Sequence, residues 1–378
     1  MVGSATMVPM SVPRRGAERG GPGTGGANRP SVPMDEYDYG LPEGAIAQHP
    51  VEPRSAARLL IGPGLADGSE VRHATVADLP TLLRPGDVMV VNDTRVLPAR
   101  LALHKASGGR AEVLLLEPMG GDPQRWQALV RPGRRLPDPT PLYEGPADGG
   151  GPPVVEVGPA IGERDDGRRE VRLLDPGVVE RSGAMPLPPY IHRPLADPER
   201  YQTVYAEDRE IRERSVAAPT AGLHFTPGLL ADCAAAGAVL ARVDLAIGLD
   251  TFRPITAPTA EEHVIHTERY SVPEETLTAC AAADRVVAVG TTVVRALESA
   301  AATGERQGRT DLYIHGSFPF RVVDVLVTNF HLPRSSLLLL VEAFCGPVWR
   351  DLYATALAEG YRFLSFGDAM VVARHPGR

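Results

Sequence analysis

The chain has 378 residues, 43% of them hydrophobic and 23% charged, with a formal net charge of -8. That balance supports a sizeable core and excludes a chain that is disordered throughout. The acidic surplus argues against indiscriminate nucleic-acid binding, but it leaves room for a nucleic-acid substrate held by a local basic patch. Cys233, Cys280 and Cys345 lie far apart without a C-x-x-C, so neither a zinc knuckle nor a disulfide framework is indicated. A reducing, cytoplasmic setting fits. No apolar run reaches the roughly 18 residues that suggest a membrane span.

Residues 1–33 are rich in Gly, Pro, Arg and Ser, lack the apolar stretch of a signal peptide, and read as a disordered tail. Met34 offers an alternative start. Gly21, Gly23 and Gly26 satisfy G-x-G-x-x-G, but no strand precedes them and Pro22 interrupts them, so a dinucleotide loop is excluded. Between residues 34 and 94, apolar segments alternate with short breaks. DVMVVN (87–92) reads as a buried strand. From 95 to 179 the texture changes to short strands punctuated by Gly, Pro and Asp: AEVLLLEP, RWQALVRPG, PVVEVG and REVRLLD. That spacing predicts a small antiparallel barrel or sandwich. From 180 to 378 strands alternate with helices. VLARVDLAIG, RVVAVG and VVDVLVTN are strands, VVRALESAA and LLLLVEAFCG are helices, and RFLSFGDAMVV closes as strand. The fold class is therefore α/β, a mixed-sheet domain built from 34–94 and 180–378 with the all-β section inserted into it.

In open α/β sheets the ligand crevice lies beyond the carboxyl ends of the strands. LDTFRP, GTT, NFHLPRSS and FGDAM fall at such ends and would gather Asp250, Arg253, Thr291, Thr292, Asn329, His331 and Asp368. Simpler roles exist for several of these. Thr291 and Thr292 suit helix N-caps, and Asn329 and Asp368 suit turns. A helix start also offers free N–H groups to an anion. Arg253, between Phe252 and Pro254, suits a buried ion pair or a ligand contact.

The segment VAAPTAGLHFT (216–226) is too small and too apolar for an ordinary loop. It reads as a site wall, its backbone close to a ligand and Thr220, His224 and Phe225 reaching outward. In EEHVIHTERY (261–270), His263 and His266 share a face only on a helix, whereas the sequence looks like strand and would point them apart. That disfavours a metal and leaves His266 as a substrate contact or a structural residue. A G-x-S-x-G elbow is absent, as is the glycine-rich turn of S-adenosylmethionine methyltransferases.

MPLPPYIHRP, YQTVYA, VAAPTAGLHFT, VGTTVVRALES, VTNFHLP and FGDAM, with YDYGLPEGAIAQHPVEPR and GDVMVVNDTRVLPARL at the front, resemble one family from about residue 35 to 372. It is the S-adenosylmethionine:tRNA ribosyltransferase-isomerase family of queuosine biosynthesis. The resemblance implies an α/β domain with an inserted antiparallel β-barrel. It implies ribosyl transfer from S-adenosylmethionine, as co-substrate, to 7-aminomethyl-7-deazaguanine in a tRNA with a queuosine-type anticodon. Adenine and methionine leave and epoxyqueuosine forms, with no metal or other cofactor. A monomer with no membrane attachment is the expectation for the chain.

The implied chemistry needs a base for the carbon beside the sulfonium and an acid for departing adenine, for which His224 and His331 are the candidates. Tyr190 and Phe225 are candidate stacking partners for the bases, and Arg253 or the Thr291–Thr292 helix start would hold the methionine carboxylate. Arg134, Arg135, Arg168, Arg169, Arg209, Arg212 and Arg214 are candidate phosphate contacts. The chain departs from the family pattern at Ala246, Asp250 and His315. These departures leave open a relative that passes the ribosyl group to a small acceptor, or an RNA-binding protein without activity.

Overall fold

Val-rich runs separated by helices build a nine-stranded mixed sheet, and the short punctuated strands between them build a separate barrel. The computed structural model describes residues 32–65, 70–133, 136–145, 151–161, 167–208, 210, 214–248 and 254–376. In chain order the sheet first takes β1 (Arg58–Ile61), β2 (Arg72–Thr75) and β3 (Asp87–Asn92). The chain then leaves for β4 (Arg100–Lys105), β5 (Arg110–Pro118), β6 (Arg125–Arg131), β7 (Thr140–Tyr143), β8 (Val155–Ala160) and β9 (Arg168–Leu173). A short helix α1 (Val178–Ser182) and β10 (Gly183–Ala184) end that excursion. It returns through α2 (Pro227–Ala235), β11 (Val239–Leu245), β12 (Glu268–Ser271), α3 (Glu274–Ala282) and β13 (Arg285–Val289). The last elements are α4 (Thr291–Thr303), β14 (Gln307–Thr310), β15 (Val325–Asn329), α5 (Ser336–Cys345), α6 (Trp349–Ala358) and β16 (Ala369–Ala373).

The sheet order is β14-β12-β11-β3-β13-β15-β16-β1-β2. The four central strands, β11, β3, β13 and β15, run parallel, whereas β16 is antiparallel to β15. The carboxyl ends of the central strands therefore share one edge. Asp368 joins that edge because Asn329 pairs with Ala369. Period-2 alternation on β3 divides the core. Val88 and Val90 face the cluster that contains Leu297 of α4 and Leu338 of α5, and Met89 and Val91 face Leu229 and Cys233 of α2. At the opposite edge Asp87 and Arg285 form a part-buried two-point ion pair, at 2.9 and 2.5 Å, which ties β3 to β13.

Pairing of β4 with β7, His104 opposite Tyr143, closes β4 to β9 into a six-stranded antiparallel barrel, so the barrel is found rather than the sandwich. Closure leaves no free edge and encloses a separate core around Trp126, Leu101 and Val113.

The segment 216–226 stitches these bodies together. Val216 belongs to the barrel core and Ala217 to the core under α4. Ala218 and Leu223 belong to a small cluster with Tyr201, and Ala221 and Phe225 to the core under α2. Its small residues are small because protein, not ligand, lies against them. A Cβ on Gly222 would sit 2.0 Å from the Tyr205 hydroxyl and 2.8 Å from Thr203 Cγ2. Likewise, Ala221 lies 3.5 Å from where a Cβ on Gly290 would be, and Gly290 itself has φ 96. The segment expected to be a site wall is first a structural seam.

Of the expected tail, Val32 and Pro33 are tied down: Val32 N–H donates to Glu261, and Pro33 bridges to Thr259. Residues 1–31, Asp250, Phe252, Arg253, Arg134, Arg135, Arg209 and Arg212 lie outside the described residues.

Candidate active site

Two adjoining cavities open along the carboxyl edge of the parallel strands. The larger, about 630 Å³, lies between the barrel and the sheet. Its barrel wall includes Glu117 of β5, Gln127 of β6 and Arg168 of β9. Its other wall includes Ala246, Gly248, His266, Glu268 and Arg295. The smaller, about 30 Å³, is lined by Tyr190, Thr220, Asn329, His331, Leu364 and Ser365, among others. Leu337, in the first turn of α5, borders both. Ser335 caps that helix, accepting from Leu338 N–H at 3.2 Å. Two non-glycine residues with positive φ, Arg334 at 53 and Leu364 at 69, flank the smaller cavity. Strain of this kind is retained where the surroundings hold a shape in place.

In the smaller cavity the polar groups hold one another. Thr220 donates to Asn329 Oδ1 at 3.0 Å, and Asn329 Nδ2 donates to the carbonyl of Leu364 at 3.2 Å. Tyr190 and Ser365 hydroxyls meet at 2.7 Å. His331 is 7% exposed. Its Nε2 lies 3.0 Å from the Thr328 hydroxyl, and its carbonyl accepts from Tyr39.

Burial pushes the His331 imidazole down from 6.5 to about 3, so it is neutral at physiological pH. It can therefore accept a proton or donate a neutral N–H hydrogen bond, but it is no imidazolium acid. The unfolded chain binds this proton below about pH 6.5 and the folded one only near pH 3. Stability is therefore expected to fall with pH across that window, by up to about 1.4 kcal/mol per unit from this group. Urea unfolding at pH 6, 5 and 4 checks this. His331→Asn should flatten the acid limb relative to the parent, and an unchanged slope would contradict the burial argument.

Several expectations need correction. His224 does not reach outward. It is buried, Nδ1 lies 3.1 Å from the carbonyl of Ala221 and Nε2 2.9 Å from that of Gly367. Burial lowers its proton affinity, and both ring nitrogens are spent on main chain. Phe225 is 0% exposed and sits edge-on to Tyr205 in the core, so it offers no face to a base. Asp368 is also spent, accepting from Arg58 N–H at 3.0 Å and Arg362 N–H at 2.8 Å. Thr291 and Thr292 are buried in the first turn of α4, where Gly290 rather than either threonine is the N-cap.

His263 and His266 do not point apart: the chain there is irregular until Glu268, and both imidazoles line the larger cavity. Burial first, and His266 second, lower the proton affinity of His263. The His315 ring lies against Tyr313 at a tilt of 41°, ring centres 4.6 Å apart, and Tyr313 lines the same cavity.

Sequence reasoning missed Arg295 and Glu268. Both are buried and form an ion pair in the cavity wall. Glu268 Oε1 also accepts from Gly248 N–H at 3.1 Å, which fixes the end of the chain leaving β11. The signal was present in TTVVRALESAA, where Arg295 and Glu298 are charged residues on a largely apolar stretch of helix. Such residues are seldom buried without a partner.

The geometry defines an α/β protein with a ligand-sized crevice at its strand ends, roofed by a barrel. The family model described as "Queuosine biosynthesis protein" matches residues 34–372, and the chain belongs to that family. A relative from Rubrobacter xylanophilus is 48% identical over 340 residues, covering 89% of this chain and 97% of its own. One from Moorella thermoacetica is 48% identical over 349 residues, covering 90% and 99%. Both are named S-adenosylmethionine:tRNA ribosyltransferase-isomerase. A crystal structure of S-adenosylmethionine tRNA ribosyltransferase from Thermotoga maritima is 34% identical, covers 89% of this chain and 99% of its own, and has a TM-score of 0.49. No helix among the described residues is long and apolar enough to cross a membrane.

Proposed function

We propose that this chain transfers the ribosyl part of S-adenosylmethionine to 7-aminomethyl-7-deazaguanine in a tRNA anticodon and isomerises it. The products are epoxyqueuosine-tRNA, adenine and methionine. The observation that carries this reading is family membership across residues 34–372, with relatives at 48% identity bearing that enzyme name over nearly their full lengths. The larger cavity supports it in kind, since about 630 Å³ is room for a ligand of this size. On this reading S-adenosylmethionine is a co-substrate, no metal takes part, and the chain works as a monomer in the cytoplasm.

The sulfonium acidifies the neighbouring 5′ carbon, whose proton a neutral base must take. His331 is our candidate by position, since it lines the smaller cavity; burial lowers its proton affinity as it does for His224, so it acts there as a weak base. His263 and His266 line the larger cavity and are our candidates to assist departing adenine. His224 becomes a positioning residue that binds the turns at Ala221 and Gly367. Tyr190 borders the smaller cavity, which at about 30 Å³ has no room for a base, and its hydroxyl is held by Ser365, so Tyr190 is a wall residue rather than a stacking partner.

Free adenine reports the reaction. With S-adenosylmethionine, release is expected only when tRNA bearing the aminomethyl deazaguanine is added. The departures at Ala246, on the cavity wall, and His315, whose ring lies against Tyr313, give the small-acceptor reading its specific support. Release with the free base alone would favour that reading. tRNA binding without release under any condition would leave an RNA-binding protein.

A further inference from the structure

Arg295 carries a donor set that the protein itself does not fill. It is 7% exposed and lines the larger cavity. Its Nε donates to the carbonyl of Leu312 at 3.2 Å and its Nη1 pairs with Glu268. Nη2 is buried and has no hydrogen-bond partner. A guanidinium has five N–H donors, two of them on Nη2. Leaving such a charged donor buried and idle is costly, and an acceptor arriving with a ligand removes that cost. A second polar atom on the same cavity, the Tyr313 hydroxyl, is also buried without a partner.

The charge fits a single carboxylate. Glu268 already offsets Arg295, so the wall is close to neutral and suits a zwitterionic amino-acid end better than a phosphate. The arginines suited to phosphates lie elsewhere on the cavity: Arg269 and Arg309 have side chains 36% and 52% exposed. Arg295 also stands three and four residues after Thr292 and Thr291, on the face of α4 that those threonines begin.

We propose that Arg295, held by Glu268 and Leu312, anchors the methionine carboxylate of S-adenosylmethionine through Nη2. This rests on the donor assigned under the proposed function. It makes Arg295 a binding residue that orients the sulfonium, not a proton carrier. Arg253 and the Thr291–Thr292 helix start are then not needed for that task.

The test compares S-adenosylmethionine with its decarboxylated form, which keeps the sulfonium and the adenosyl group, by calorimetry on the full chain. The parent protein is expected to bind the complete donor about 10- to 100-fold more tightly, the worth of a charged hydrogen bond. Arg295→Gln should lose that factor for S-adenosylmethionine and leave the decarboxylated compound within about 2-fold of the parent. Equal binding of both compounds by the parent would overturn the anchor, as would an Arg295→Gln variant that weakens both alike, the mark of a purely structural role. A parent that discriminates nothing yet releases adenine sinks the anchor alone. A parent that neither binds the donor nor releases adenine sinks the proposed function and the anchor with it.

Discussion

Gly222→Ala is expected to destabilise the fold by about 3 kcal/mol, the upper range for forcing extra volume into a packed core. The added carbon would overlap the Tyr205 hydroxyl at 2.0 Å and crowd Thr203 at 2.8 Å. Tyr205 cannot swing away cheaply, because it is 6% exposed and its ring packs edge-on to Phe225. Its hydroxyl has no hydrogen-bond partner. Tyr205→Phe alone should therefore be within about 0.5 kcal/mol of neutral, or slightly stabilising, since it removes a buried group that gains nothing. In the double variant the smaller ring end should return at least about 1 kcal/mol of the loss. Urea unfolding of the four proteins measures the coupling. Strictly additive effects would mean that the seam gives way elsewhere, and that the glycine is not there to fit Tyr205.

Affinity for tRNA is expected to fall about 50- to 150-fold between about 50 and 200 mM salt. Arg168, Arg214, Arg269 and Arg309 all line the larger cavity. Four phosphate contacts give a slope of roughly -3 in log affinity against log salt. Arg309 now rests on Glu117 at 2.9 Å, Arg269 on Asp244 at 2.6 Å and Arg214 on Asp208 at 2.8 Å. The Arg309–Glu117 pair, with side chains 52% and 44% exposed, contributes little to stability and is easily exchanged for phosphate. Arg309→Ala should reduce the slope by about 1. A flat salt response would show that this face does not meet the nucleic acid.

The fold was legible because its strands announce themselves. Asp87–Asn92, Arg285–Val289 and Val325–Asn329 are short Val-rich runs bounded by turns, and each became a central strand. The site was less legible, for a physical reason. Pattern reasoning shows which residues sit at strand ends but not whether their donors and acceptors are already used. His224 and Asp368 looked free and are spent on main chain. Smallness in 216–226 is equally compatible with a ligand or with protein on the other side, and only the positions of Tyr205 and Gly290 decide between them. Arg295 failed to stand out because its partner Glu268 lies 27 residues earlier, on another element. The larger cavity needed two bodies to be placed side by side: Glu117 and Gln127 from the barrel, Gly248 and His266 from the sheet.

The central claim is that the sugar, not the methyl group, leaves the donor for the tRNA. Two single-turnover reactions test it, one with S-adenosylmethionine labelled in the ribose and one with the label in the methyl group, each with tRNA carrying the aminomethyl deazaguanine. The account predicts ribose label in the tRNA and methyl label only in free methionine. Methyl label in the tRNA, or ribose label that never reaches it, would contradict the account.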